Sequence, residues 1–262
     1  MTEKKQTTLI IGASSAIGAA VIRELSPIAN VASANSGIIA VSRSEAPDDF
    51  GASGATQSGR AWYICDYQDA AIEGVVKSIQ AQLEQQAAAL TRIIICNGVL
   101  HNSEQERALL LPEKRLEDLQ GENFLDSIAV NTLLPLRWIQ RLVALLDNKQ
   151  ECKIAVLSAR VGSISDNQLG GWYSYRASKA ALNMLLQTAS VELARRKPGV
   201  KLIAFHPGTT DTPLSRPFQK NVRKEKLFSA DFVADRLLDL MDATSADGKL
   251  SFIDWDGKPI DF

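Results

Sequence analysis

Short apolar runs rich in β-branched residues recur along the chain, and longer stretches with helical spacing of apolar residues separate them. The runs are continuous rather than alternating, which is typical of strands buried on both faces of a parallel sheet. The predicted strands are Thr8–Ile11, Ile38–Ser42, Ala61–Cys65, Arg92–Cys96, Lys153–Leu157, Lys201–Phe205 and Leu250–Ile253. The predicted helices between them are Ile17–Leu25, Asp69–Ala89, Asn123–Asp147, Tyr173–Arg196 and Asp231–Met241.

This alternation predicts a doubly wound parallel sheet of the Rossmann type, with three layers α/β/α in one domain over residues 1–262. Ala46–Arg60 is rich in small residues and predicts a surface loop. His101–Gly121 and Thr209–Leu227 lack a clear period, and each follows a predicted strand. Because loops at the carboxyl ends of strands surround the ligand crevice, we expect both at the site. The second, near residues 209–228, is long enough to form a substrate loop or lid.

Composition and charge narrow the classes of function. The chain has 262 residues, of which 45% are hydrophobic and 23% charged, with a formal net charge of −1. That balance gives no basic excess for nucleic acid or an anionic membrane. No apolar run approaches the ~18 residues that span a bilayer, and the start of the chain lacks the features of a signal peptide. Cys65, Cys96 and Cys152 have no metal-ligand spacing, so we expect buried thiols and a cytoplasmic protein.

A turn of small residues, Gly12-Ala13-Ser14-Ser15-Ala16-Ile17-Gly18, directly follows the first strand. Small residues let the backbone turn tightly and bring the N–H groups of a helix start against a pyrophosphate. Ala16 stands where a glycine is usual, and its methyl group requires only a slightly wider turn. The turn predicts dinucleotide binding, although similar turns also join strands to helices that bind nothing.

The end of the second strand indicates which dinucleotide would bind. An NAD site places a carboxylate there for the ribose hydroxyls, whereas this chain has Ser42-Arg43-Ser44 and no acid before Glu45. A guanidinium and hydroxyls suit a 2′-phosphate, so we expect NADP(H) to be preferred over NAD(H). A solvated surface arginine is the alternative explanation of Arg43.

Tyr175 and Lys179 lie four positions apart, so a helix places the phenol and the ammonium on one face. A nearby cation favours the phenolate and lowers the pKa of a tyrosine. This spacing is common by chance, but Ser158 ends the strand Lys153–Leu157 at the edge where ligands bind. Its hydroxyl is placed to hydrogen-bond a substrate carbonyl oxygen, although strand-end hydroxyls also cap helices and form turns.

The sequence resembles the short-chain dehydrogenase/reductase family over nearly its whole length. The resemblance rests on GASSAIG at Gly12–Gly18, CDY at Cys65–Tyr67, NG at Asn97–Gly98, Asn131 in AVNTLLPL, Ser158, YRASK at Tyr175–Lys179 and HPGTTDT at His206–Thr212. Within the family, the stretch from Ser158 to Met184 and the ending FIDWDGK are similar to the bacterial subgroup named after the C-factor signalling protein.

The resemblance implies an NADPH-dependent oxidoreductase that acts on a small-molecule carbonyl or alcohol. Tyr175 would protonate the carbonyl oxygen as hydride leaves NADPH. Lys179 would hold the nicotinamide ribose and lower the pKa of the tyrosine. Ser158 would orient and polarise the carbonyl. Asn131 would kink its helix and hold a water that relays protons to Lys179.

The resemblance also implies contacts with the cofactor. Asp66 would bind the adenine amino group, and Gly98 would allow close approach to the adenine ribose. The segment after the sixth strand would line the nicotinamide carboxamide. The usual Asn-Asn-Ala-Gly after the fourth strand is here Ile95-Cys96-Asn97-Gly98, which loses the first two asparagines. The expected cofactor contacts are Gly12, Ser14, Ser15, Ala16, Ile17, Gly18, Ser42, Arg43, Asp66, Tyr67, Asn97, Gly98, Tyr175, Lys179, Pro207, Gly208, Thr210 and Thr212.

Two other functions remain open from the sequence. A signalling or dinucleotide-sensing protein could keep the fold with little turnover, although it would not need Asn131, Ser158, Tyr175 and Lys179 together. An extended epimerase or dehydratase needs a larger carboxyl-terminal domain than follows Pro207. The only histidines, His101 and His206, are isolated and predict no metal site or catalytic triad.

The two long predicted helices carry more apolar residues than the sheet can cover. Examples are Leu133, Leu134, Trp138, Leu185 and Leu186. In related enzymes this pair of helices forms a four-helix interface, so we expect a homodimer or homotetramer.

Overall fold

The computed structural model describes residues 4–31, 36–50, 59–101, 111–148 and 150–262. Its strands are β1 (Lys5–Ile11), β2 (Ser36–Ser42), β3 (Arg60–Ile64), β4 (Ala88–Ile95), β5 (Cys152–Leu157), β6 (Val200–His206), β7 (Thr209–Thr210), β8 (Leu227–Phe228) and β9 (Ser251–Asp254). Seven of these strands form one parallel sheet in the order β3-β2-β1-β4-β5-β6-β9, and β7 pairs with β8 separately. The strand order reverses between β1 and β4, which is where doubly wound sheets bind ligands.

Helices cover both faces of the sheet. They are α1 (Ala16–Val31), α2 (Asp69–Gln85), α3 (Gly121–Ile128), α4 (Leu134–Leu142), α5 (Tyr173–Arg196) and α6 (Ala230–Ala243). One buried cluster joins the sheet to α1 and α6, and a second joins it to α2, α4 and α5. Alternate strand residues serve the two clusters, as Leu9 and Ile10 do on β1. The predicted three-layer fold is therefore confirmed.

Two predicted helices differ from the observed ones. The stretch predicted as Asp69–Ala89 ends at Gln85, and Ala88 is already paired with Lys5 of β1. The alanines there favour helix by propensity, but pairing at the centre of the sheet overrides it. The stretch predicted as Asn123–Asp147 is divided into α3, a π-helical turn at Ala129–Leu133, α4 and a short 3₁₀ turn.

The predicted lid lies at the carboxyl edge of the sheet. Its two ends are tied together because Thr209 and Thr210 of β7 pair with Leu227 and Phe228 of β8. The other predicted loops are described only in part, since residues 51–58 and 102–110 lie outside the described ranges. Among the helices in those ranges, none combines the length and the apolar character needed to cross a membrane.

Candidate active site

The glycine turn between β1 and α1 has no room for side chains at its two glycines. Gly12 adopts φ 78°, and a Cβ atom there would lie 3.1 Å from the backbone nitrogen of Asn97. A Cβ atom on Gly18 would lie 2.5 Å from the backbone oxygen of Gly12. Both glycines are therefore required by close approach of one backbone segment to another.

The other residues of the turn begin α1. The backbone N–H of Gly18 donates to Ser15 Oγ at 3.1 Å, so Ser15 caps the helix. Ala16 is the first helical residue. Ile17 is buried in the core, so the turn offers a ligand its backbone rather than this side chain. Free N–H groups at such a helix start suit a pyrophosphate.

Two hydroxyl groups meet beside the end of β2. Ser42 Oγ donates to Ser14 Oγ at 2.7 Å and accepts from the backbone N–H of Ser44 at 3.1 Å. Arg43 is exposed next to this pair. The strand end thus presents a guanidinium and hydroxyls, the groups that suit a phosphate.

The ends of β3 and β4 bring further expected cofactor contacts to the same edge. Asp66 is exposed, and its Oδ1 accepts from the backbone N–H of Gln68 at 2.9 Å. Burial raises the pKa of Tyr67, while a hydrogen bond with Asn97 and the charge of Arg43 oppose that rise. Asn97 Oδ1 is buried and has no hydrogen-bond partner among the described residues. An orphaned acceptor beside a tight glycine turn fits a dinucleotide, which would supply donors there.

Gly98 lies between the cofactor edge and the expected catalytic residues. A Cβ atom on Gly98 would be 3.6 Å from Asn131 Oδ1 and 3.9 Å from Lys179 Nζ. Gly98 is exposed, whereas the Asn131 and Lys179 side chains beside it are buried. Gly162 packs against the backbone of Lys179, since a Cβ atom on Gly162 would lie 2.8 Å from the Lys179 carbonyl carbon.

Asn131 lies in the π-helical turn between α3 and α4 and is fully buried. Its Oδ1 accepts from the Val99 N–H at 2.8 Å, and its Nδ2 donates to the Val99 oxygen at 2.9 Å. Nδ2 also contacts Ser178 Oγ at 3.1 Å. The side chain therefore joins the segment after β4 to α5, and the helix is irregular at this residue as the resemblance implies.

Tyr175 and Lys179 lie on one face of the first turns of α5, with Lys179 Nζ 5.8 Å from the centre of the tyrosine ring. Nζ is buried and donates to the backbone oxygen of Leu157 at 2.8 Å. Burial raises the pKa of Tyr175 to about 12 and lowers the pKa of Lys179 to about 8. The tyrosine pKa thus moves opposite to the direction expected from the motif, because desolvation of the phenolate is the dominant cause.

Ser158 directly follows β5 and is buried. Its hydroxyl donates to Asn183 Oδ1 of α5 at 2.6 Å, and its N–H donates to the Phe205 oxygen at 2.8 Å. The proton that was expected to polarise a substrate carbonyl is therefore directed at Asn183. In this arrangement Ser158 connects the end of β5 to α5.

The segment after β6 contains Pro207, Gly208, Thr210 and Thr212, the residues expected at the nicotinamide carboxamide. Gly208 has φ 71°, and a Cβ atom there would lie 2.7 Å from the Phe228 ring. Thr210 is buried, and its Oγ1 contacts the Pro207 oxygen at 3.4 Å. The chain thus turns sharply and begins the lid beside the site.

Charged groups that follow β5 and end β9 lie near His206, the last residue of β6. Arg160 forms an ion pair with Asp254 at 2.9 Å, and the carboxylate is 8% exposed. Burial, followed by the charge of Arg160, lowers the pKa of His206 to about 4. His206 is therefore neutral at pH 7. The three cysteines are buried, as predicted, and burial raises the pKa of Cys96 and of Cys152 to about 12.

Glu113 was missed by sequence reasoning, yet it holds the start of the helix that carries Tyr175. Its buried carboxylate accepts from both the hydroxyl and the N–H of Ser174, and its backbone oxygen accepts from the Trp172 N–H at 2.5 Å. Gly170, Gly171 and Trp172 all have positive φ, and Trp172 offers no side-chain cap. A carboxylate 61 residues away replaces that cap and complements the helix dipole. No local pattern around Glu113 signals this contact.

Known proteins share sequence and fold with this chain. The sequence profile of the family described as short chain dehydrogenase matches residues 6–223. The enzyme 1-hydroxy-2-glutathionyl-2-methyl-3-butene dehydrogenase from Rhodococcus sp. (strain AD45) is 33% identical over 143 residues, which cover 55% of this chain and 57% of that protein. C-signal from Myxococcus xanthus is 33% identical over 102 residues, or 39% of this chain and 60% of that protein.

Among solved structures, an NADPH-bound carbonyl reductase from chicken fatty liver matches with a TM-score of 0.73. The match covers 99% of this chain and 100% of that one at 20% sequence identity, so it supports the fold alone. The chain matches 57% and 60% of the lengths of the two sequence relatives.

Proposed function

The chain belongs to the short-chain dehydrogenase family, and from this premise we propose that it is an oxidoreductase that uses NADPH to reduce a carbonyl group, with Tyr175 as the proton donor. The observation that carries the proposal is the position of Tyr175 and Lys179 on one face of α5, with Lys179 Nζ beside Gly98. When bound, NADPH supplies the hydride that the carbonyl carbon accepts.

The protonation states favour reduction. Because burial raises the pKa of Tyr175 to about 12, the phenol holds its proton at neutral pH. When the carbonyl oxygen takes that proton, the phenolate left behind lies close to Lys179, and an ammonium there stabilises it. Lys179 keeps its charge at neutral pH because its pKa is about 8. The products are an alcohol and NADP⁺.

Removing the Tyr175 hydroxyl tests this assignment. We expect Tyr175→Phe to lower turnover by ~10²–10⁴-fold, the usual cost of losing a general acid, while NADPH affinity is retained. Stopped-flow NADPH oxidation and fluorescence titration measure the two quantities. Tyr173→Phe, two positions earlier and exposed, is the matched control. Ser158→Ala is expected to cost less than Tyr175→Phe, since its proton is directed at Asn183. Turnover of Tyr175→Phe at the parental rate would refute the assignment.

The preference for NADPH is a second part of the proposal, and Arg43 supports it. The exposed guanidinium beside the Ser14 and Ser42 hydroxyls suits a 2′-phosphate. We expect Arg43→Ala to weaken NADPH binding about tenfold and to leave NADH binding unchanged. Arg195→Ala, at the far end of α5, is the control. Equal affinity of the unaltered protein for NADPH and NADH would contradict the preference.

A signalling or dinucleotide-sensing protein with little turnover is the second candidate function, and similarity to C-signal favours it. Both candidate functions use the same cofactor site, so only a measurement of substrate reduction distinguishes them. NADPH binding without reduction of any aldehyde, ketone or quinone in a broad panel would support this candidate.

We also propose a homodimer or homotetramer, whose exposed apolar surface includes only Leu133 and Leu185 of the five predicted residues. Leu134, Trp138 and Leu186 are buried in the core, so they cannot supply an interface. Helices α3 to α5 instead expose Leu125, Leu133, Met184, Leu185 and Val191. Light scattering should return a multiple of the 28.5 kDa chain mass, and a monomer at micromolar concentration would contradict the proposal.

A further inference from the structure

Three aromatic rings from three separate segments meet beside Tyr175, and we call them the aromatic wall. Trp172 precedes α5, Phe218 belongs to the lid, and His101 follows β4. The ring centres of Trp172 and Phe218 are 5.1 Å apart, and those of Phe218 and His101 are 5.8 Å apart. His101 Nε2 also lies 3.2 Å from the Pro213 oxygen of the lid. The wall therefore joins the lid to the segment after β4 and to the segment before α5.

The wall lies next to the proton donor. The Trp172 ring centre is 6.1 Å from that of Tyr175, with an interplanar angle of 75°. Trp172 immediately precedes α5 and Tyr175 lies in its first turn, so the start of this helix carries both rings. A carbonyl oxygen that reaches the Tyr175 hydroxyl thus brings its substituents within range of Trp172.

The wall is held firmly at Trp172 and remains partly open. The Trp172 N–H donates to Glu113, and Arg176 contacts the Gly170 and Gly171 oxygens just before it. All three rings are only partly buried, so they keep accessible aromatic surface. A second aromatic group on the chain, formed by Phe228, Phe232 and Trp255, is packed between the lid end, α6 and β9.

We propose that the substrate carries a planar aromatic ring attached to the carbonyl group, and that this ring extends the edge-to-face series of the aromatic wall. The proposal rests on the proposed function, because it takes Tyr175 as the proton donor. The contact of Tyr175 with Trp172 and the two successive pairs of the wall are all T-shaped, with interplanar angles of 75°, 61° and 64°. An additional aromatic ring continues such packing, whereas a saturated ring of similar size has no quadrupole to do so.

Matched ketones test the substrate class. We expect kcat/KM for acetophenone to exceed that for cyclohexyl methyl ketone by about tenfold, given the usual strength of aromatic pairs. Phe218→Leu keeps an apolar side chain and removes the ring, so it should reduce that ratio several-fold. Phe232→Leu, in the other aromatic group, should leave the ratio unchanged. Equal efficiencies, or a ratio that Phe218→Leu does not change, would overturn the proposal.

Binding of unreactive analogues separates this inference from the proposed function. Benzamide and cyclohexanecarboxamide carry the same carbonyl group on the two kinds of ring, and their affinities for the NADPH-saturated protein can be measured by calorimetry. Tighter binding of benzamide that is lost in Phe218→Leu supports the wall even if neither ketone is reduced, in which case only the proposed function fails. Equal affinities would overturn the inference even if both ketones are reduced.

Discussion

Two turns lead into helices at the carboxyl edge of the sheet, and they are held in different ways. The turn before α1 is closed by its own atoms, since Gly18 lies against the Gly12 oxygen and Ser15 caps the helix. The turn before α5 has three consecutive residues with positive φ and relies on Glu113, which lies 61 residues from Ser174. One turn serves the expected cofactor, and the other carries the expected proton donor.

The difference follows from what each turn has to hold in place. A pyrophosphate needs backbone N–H groups, and a short glycine-rich turn supplies them from its own backbone. The turn before α5 must instead fix side chains relative to a substrate, and these depend on packing from the lid and from Glu113. Substitutions within the turn before α1 should therefore weaken cofactor binding. Substitutions far along the chain, as at Glu113, should affect the turn before α5.

The largest expected effect is on the first turn. Gly18→Ala would bring a Cβ atom to within 2.5 Å of a backbone oxygen, which cannot move without opening the turn. We expect NADPH affinity to fall by about 100-fold, since several N–H contacts with the phosphates are lost together. Titration of nicotinamide fluorescence measures it.

Gly74→Ala provides the control for that variant. A Cβ atom on Gly74 in α2 would meet nothing within 4 Å, so the same substitution should leave NADPH affinity unchanged. Similar affinities for the two variants would show that the first turn is not closed by its backbone.

The next largest effect is a fall in the free energy of unfolding at low pH, and it arises from His206 at the end of β6. The folded pKa of His206 is lowered to about 4 from its ordinary 6.5, so the unfolded chain binds more protons between these values. Stability is thus complete above pH ~6.5 and falls as pH drops through that window, by about 2 kcal/mol between about pH 7 and pH 5 for this residue. Urea unfolding of the parent and of His206→Gln measures it, and the variant should lack this part of the decline. An equal decline in both proteins would contradict the assignment.

The smallest expected effect is the loss of one hydrogen-bond acceptor at Glu113, which holds the turn before α5. Glu113→Gln keeps the shape of the side chain but offers Ser174 one acceptor instead of two, so the start of α5 should shift. We expect kcat to fall about tenfold while NADPH affinity stays within about twofold, because the cofactor turn is held separately.

Glu117→Gln, an exposed carboxylate four positions later, should leave kcat unchanged. Ser174→Ala should reproduce the fall in kcat, and combining it with Glu113→Gln should add little, since both remove the same contact. A parallel loss of kcat and of NADPH affinity would indicate general destabilisation instead of positioning of Tyr175.

The sequence predicts what local chemistry determines. All seven strands of the main sheet and the glycine turn follow from continuous apolar runs and small residues. The spacing of Tyr175 and Lys179 likewise predicts a shared helix face, which the structure confirms. These features need no knowledge of distant residues.

Long-range contacts explain what the sequence does not predict. Asn183 Oδ1 accepts a hydrogen bond from the Ser158 hydroxyl 25 residues away, and the Glu113 carboxylate accepts from Ser174 61 residues away. Helical spacing alone does not tell which of several apolar faces the sheet covers, so it wrongly places Trp138 and Leu186 on an outer surface. Both side chains are buried in the core. The effect of burial on the Tyr175 pKa also depends on packing that no motif encodes.

Isotope transfer shows whether hydride passes from the nicotinamide to a carbonyl carbon at this site. The protein is incubated with acetophenone and NADPH deuterated at either position of nicotinamide C4, and the product alcohol is analysed by mass spectrometry. We expect one of the two cofactors to place deuterium on the carbinol carbon, since a single bound orientation presents one face of the ring. Tyr175→Phe should slow product formation by ~10²–10⁴-fold. Product alcohol without deuterium from either cofactor would contradict the account.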